Sequence, residues 1–145
     1  MVPWRRRGTV HALKWRESRE DAEPFYVVEV RGAGVLVTRT RRRYESVDEV
    51  EPSFRAVDDA LDDAGPGIER LLVDLRKIVG RNDAEFEAAL APYRRRLLSR
   101  FRATGIVVRS TIGRMQLERY LAADGLTATV FEDEEAAMTW LDGGD

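Results

Sequence analysis

The feature that most constrains this chain is a change of hydrophobic period near Ser46. Before it, two β-rich runs, "FYVVEV" (25–30) and "VLVTRT" (35–40), flank the turn "RGAG", the pattern of a β-hairpin. After it, helical periodicity and short apolar runs alternate. Val47, Val50, Phe54, Val57 and Leu61 recur at steps of three and four and mark a first helix. Ser46 with Glu49 fits a capping box. Pro52 is tolerated only near a helix start, which sets the regular helix from about Glu51, and "DDAGPG" stops it.

The alternation then continues. "RLLVDLR" (70–76) reads as a strand. A second helix runs from about Asp83 to Ala103, with Phe86, Leu90, Tyr93, Leu97 and Phe101 on one face, Asn82 or Asp83 as its cap and a kink at Pro92. Gly105 is expected to end it, with "IVVR" (106–109) as the next strand. Ser110 or Thr111 caps a third helix to Ala123 that carries Ile112, Met115, Leu117, Tyr120 and Leu121. "TATVF" (127–131) is the last strand, and Asp133 caps a short helix with Ala137, Trp140 and Leu141.

A hairpin followed by α-β-α-β-α-β-α implies an α/β fold with parallel pairing and right-handed crossovers. The opening hairpin makes the sheet mixed, with five or six strands and about four helices. Val28, Val30, Val35, Val37, Leu71, Val73, Leu75, Ile106 and Val108 share one strand phase. The other phase holds Glu29, Arg31, Thr38, Asp74, Arg76 and Arg109. Sheets covered on both faces carry continuous apolar runs, so the helices are expected mainly on one face. The polar face is open to three uses: a ladder of cross-strand ion pairs, docking of Trp4 and Trp15 from the N-terminal segment, or an interface. Residues 25–145 form one domain. Residues 1–24 form an irregular segment in which "TVHALKW" (9–15) reads as an edge strand.

Composition narrows the function. The chain has 145 residues, 43% hydrophobic and 34% charged, with a net charge of −2. That balance argues against a nucleic-acid binder, although "RTRRRY" (39–44) clusters arginine beside a stacking tyrosine. There is no cysteine, and His11 is the single histidine, so neither a thiolate nor a multi-histidine metal site is expected. No cofactor is expected. "RRR" at 5–7 is not followed by an apolar core, and no apolar run approaches the ~20 residues of a membrane span. The expected location is the cytoplasm.

The strand "LLVDLR", the helix after it, "IVVRSTIGRMQLERYL" and above all "VFEDEEAAMTWL" resemble the STAS fold, in its SpoIIAA-like (STAS/SEC14) branch, over about residues 25–142. The resemblance implies a module that works by binding rather than by chemistry: a regulatory or scaffold protein with a protein partner or a second copy. The alternative is a small-ligand or lipid-binding module using the space between sheet and helices. In anti-sigma factor antagonists of that family, a phosphorylated Ser or Thr follows the strand matching "LLVDL". Here that loop is "RKIVGRND" and carries no hydroxyl, so a phospho-switch is not expected there.

Two strand-to-helix junctions supply candidate anion- or partner-binding residues. The first holds Arg76, Lys77, Arg81 and Asn82, with Gly80 allowing close approach of a ligand. The second holds Arg109, Ser110, Thr111 and Arg114. The bland reading of the same residues is an Asp74–arginine pair, a glycine turn and helix caps. No catalytic or metal-ligating residue is assigned.

Overall fold

The computed structural model describes residues 23–78 and 84–143. Their framework is one five-stranded sheet: β1 (Tyr26–Arg31), β2 (Gly34–Arg39), β3 (Arg70–Asp74), β4 (Ala103–Val107) and β5 (Thr129–Phe131), in that spatial order. β1 and β2 form the antiparallel hairpin, with Val28 opposite Val37, and Gly32 takes the left-handed conformation in its turn (φ 61°). The remaining pairings are parallel. The helices are α1 (Val50–Ala64), α2 (Ala84–Ser99), α3 (Thr111–Ala123) and α4 (Glu134–Leu141).

Strand order equals chain order, so every crossover steps the same way across the sheet. Crossovers of one hand must then leave their helices on one face. They do: Val50, Phe54, Val57 and Leu61 of α1, Leu97 and Leu98 of α2 and Leu121 of α3 pack in one cluster on Val28, Val30, Val35, Val37, Leu71, Val73, Ile106 and Val108. Val35, Val37 and Leu71 are fully buried, and each such side chain contributes about 1.5–3 kcal/mol. The α4 helix follows the last strand and has no further crossover to make. It lies on the opposite face, where Ala137 and Leu141 meet Leu72 and Val107, with Leu36, Phe131 and Trp140 beside them.

That second face corrects one expectation. It is apolar at its centre and charged only toward its margins. Its ion pairs run from sheet to helix rather than as a cross-strand ladder: Arg31 reaches Asp142 (3.4 Å) and Arg76 reaches Glu134 (3.2 Å). Trp4, Trp15 and the strand expected at 9–15 lie outside the described residues.

Other details differ locally. Gly105 does not end α2, which stops at Ser99; it sits inside β4, paired with Leu72 and Thr129. A Cβ there would come within 2.9 Å of Trp140 and 3.0 Å of Phe131, so the glycine makes room for α4. The helix α1 starts at Val50, one residue before the expected position, with a 3-10 turn over Val47–Glu49 leading into it. Ser46 makes no side-chain cap bond. Glu49 instead accepts from the Glu45 backbone N–H (2.6 Å), one residue earlier than a capping box requires. Ser110 and Asp133 do cap α3 and α4, accepting from Gly113 N (3.0 Å) and Ala136 N (2.9 Å). Ile112 and Met115 were expected on the apolar stripe of α3 but stand 71% and 54% exposed. Among the described residues, no helix is long and apolar enough to cross a membrane.

Candidate functional site

The carboxyl ends of β2, β3 and β4 all point to one edge of the sheet, and the chain leaving each strand there lines a cavity of about 450 Å³. Small-molecule sites fall in this size range and favour this end of parallel strands. The inner wall is apolar: Phe54 from α1, Val73 and Ile106 from the sheet, Leu90 and Leu97 from α2, and Leu117 from α3. Tyr26, Tyr44, Phe86 and Tyr120 add aromatic surface. Tyr44 stacks between Phe25 (4.4 Å) and Phe86 (6.1 Å), so its ring is held in place from both sides.

The charge of the lining is one-sided. Arg39, Arg41, Arg42, Arg43, Arg76, Arg94 and Arg109 line it, against one carboxylate, Glu87. A chain of net charge −2 thus concentrates seven cations around one cavity. Their states differ. Arg76 is committed: its Nε and Nη2 grip Asp74 (3.0 and 2.8 Å), and it reaches Glu134 as well. Burial alone would raise the Asp74 pKa, but the hydrogen bonds and charge of Arg76, with Lys77 nearby, outweigh it and hold the carboxyl below its usual range. Arg94 pairs with Glu87 (3.3 Å) and Asp124 (3.2 Å), yet its Nε is buried with no hydrogen-bond partner among the described residues.

Arg39 differs most from a surface arginine. It is only 7% exposed. Its Nη1 donates to the backbone carbonyls of Arg42 (2.7 Å), Thr40 (2.9 Å) and Phe25 (3.4 Å). The guanidinium lies over the rings of Tyr44 (4.9 Å), Phe25 (5.4 Å) and Tyr26 (5.6 Å). Among the described residues no carboxylate pairs with it. A buried cation normally has an anionic partner; here carbonyl dipoles and ring faces are what stabilise it among the described residues. Arg41 and Arg43 also have no ion pair among the described residues, and Arg109 donates only to the Arg76 carbonyl (3.4 Å).

The sequence candidates divide accordingly. Arg76, Arg109 and Ser110 line the cavity. Lys77 is exposed nearby. Thr111 donates to Glu132 (2.9 Å), and Arg114 bonds Glu118 and Glu132 (3.3 Å each), so both face a surface cluster outside the cavity. Arg81 and Asn82, with Gly80, lie outside the described residues. Arg39, Arg94, Tyr26 and Tyr120 were not singled out as site residues. The one legible signal was "RTRRRY", whose first arginine is the buried one.

No family model, curated protein or solved structure matches the chain.

Proposed function

We propose that this domain is a non-catalytic cytoplasmic binding module whose site is the cavity at the carboxyl edge of the sheet, and that its ligand is a small molecule bearing an anion. The supporting observation is the seven arginines and one carboxylate around an apolar interior. Neither buried tyrosine inside is suited to act as a general base. Burial, with Tyr44 beside it, pushes Tyr26 well above its ordinary pKa, and burial also raises Tyr44. A general base working near neutral pH needs the opposite shift. No metal or cofactor is part of this reading. The likeness to SpoIIAA-like STAS domains supports it as analogy only, in the small-ligand version of that family's behaviour.

Native mass spectrometry of the purified protein tests it. The expected result is a co-purifying molecule carrying a carboxylate or phosphate, absent from Leu117→Trp, which fills the cavity. A ligand-free spectrum, with no change in melting temperature across a panel of small carboxylates and phosphates, would sink the proposal.

A second reading, a regulatory or scaffold module acting through a protein partner or a second copy, is supported by Ile112 and Met115. They lie one turn apart on the exposed side of α3. Being without a hydroxyl in the loop after β3, such a module would not be phospho-switched there. Replacing both residues with Glu should abolish partner capture in a pull-down, or self-association in sedimentation, while leaving the cavity intact. Unchanged association would remove this reading.

A further inference from the structure

We infer that the ligand of this cavity is an aromatic anion: a flat ring system carrying one carboxylate or phosphate. This rests on the cavity being a small-molecule site and goes on to name the class it takes.

The walls carry the case. Tyr26, Tyr44, Phe54, Phe86 and Tyr120 present ring surface to one cavity. Several are fixed by ring contacts before any ligand arrives: Tyr26 against Phe54 (5.5 Å) and Phe54 against Tyr93 (5.5 Å), besides the Phe25–Tyr44–Phe86 stack. Rigid aromatic walls favour a planar guest, because stacking adds about 0.5–1.5 kcal/mol beyond area burial and needs no ordering of a flexible chain. An alkyl chain gains neither advantage. It would also cover the Tyr120 hydroxyl, which lines the cavity and has no hydrogen-bond partner among the described residues. Buried without a hydrogen bond, such a group opposes binding, whereas ring substituents or heteroatoms can satisfy it.

The head group follows from the cations. Arg76 is satisfied by Asp74 and Glu134. Arg39 lacks a carboxylate, Arg41 and Arg43 have no ion pair, and Arg109 has only a carbonyl, all among the described residues. Carboxylate and phosphate both suit the guanidinium fork and share this chemistry.

Isothermal titration of the full chain with four probes separates the possibilities: 2-naphthoate, its uncharged analogue 2-naphthalenemethanol, decanoate and inorganic phosphate. The expected order places 2-naphthoate at least tenfold tighter than each of the other three. Naphthyl phosphate compared with naphthoate decides which anion is preferred. The joint substitution Arg41→Ser and Arg43→Ser should weaken naphthoate severalfold without moving the melting temperature. Arg39→Met should weaken it at least tenfold, but Arg39 also ties three carbonyls, so the double variant is the control that does not depend on folding. Decanoate binding as well as naphthoate, or phosphate alone binding as well, overturns the aromatic class and leaves the small-anion site standing. Equal binding of naphthoate and its alcohol removes the anionic head group. No binding by any probe, together with a ligand-free native spectrum, removes the site itself.

Discussion

Asp74 and Arg76 illustrate how one residue pair can serve the fold while looking like part of an anion-binding site. The Asp74 side chain is 9% exposed, and it accepts from both the side chain and the backbone N–H of Arg76. Because its folded pKa is depressed, the stabilisation is complete above the ordinary carboxylate pKa of about 3.9 and is lost as pH falls through the lower folded value. Asp74→Asn should therefore cost about 1–3 kcal/mol at pH 7 and flatten the acid limb of a urea-denaturation series between about pH 5 and 2. A variant with an unchanged acid limb would place the pH sensitivity elsewhere. Arg76→Glu is a poor probe of binding for the same reason, since it sets a third carboxylate against Asp74 and Glu134. Gly105 makes the complementary point about space. Gly105→Ala should cost about 1–3 kcal/mol by pushing on Trp140 and Phe131. Combined with Trp140→Leu, the two losses should sum to less than their separate values in a double-mutant cycle.

At the scale of elements, α2 and α3 each contain residues that secondary structure alone would not choose. Pro92 is exposed inside α2 and removes one backbone donor from it. Pro92→Ala should raise stability by about 1–3 kcal/mol in chemical denaturation; a loss would mean that the surrounding packing depends on the proline ring. In α3, Ile112 and Met115 face outward while Leu121 is 4% exposed. Changing Ile112 and Met115 to Gln should leave stability within about 0.5 kcal/mol, whereas Leu121→Ala should cost about 2–5 kcal/mol. The same measurement checks both. A large loss from the Gln pair would show that this face is covered in the free protein.

Across the whole molecule, the uniform direction of the crossovers gathers three helices on one face and leaves the carboxyl strand ends open at one edge. Tyr26 and Tyr44 sit at that edge, where burial opposes their ionisation. Their folded pKa values are raised, so their contribution is complete below about pH 10, the value of an exposed tyrosine, and is lost as pH rises beyond it. Tyr26→Phe should thus reduce the stability lost above about pH 10 in urea melts. The arginines around the cavity act together at this scale too. Binding of any anion there should weaken as salt rises, because exposed cations such as Arg41 and Arg43 are screened within about 10 Å at 0.1 M ionic strength.

The order of elements, the hairpin, the strand phase of the main core and the caps at Ser110 and Asp133 were determined by the sequence itself. Each depends on spacing of a few residues, and local physics decides it. Gly105 was misread because a glycine after a helical stretch looks like a stop signal until the strand's neighbours, Trp140 and Phe131, are known. Ile112 and Met115 were misread because periodicity gives a stripe but not the width of what covers it. The site was legible only in fragments: Arg76, Arg109 and Ser110 at two junctions, and Arg39 inside a run read for its charge. Tertiary structure decided that these fragments share one cavity, that Asp74 and Glu134 neutralise Arg76, and that Arg39 lies buried against three rings with no carboxylate partner among the described residues. Those outcomes depend on contacts between residues far apart in the chain, and no local pattern encodes which charges will meet a partner.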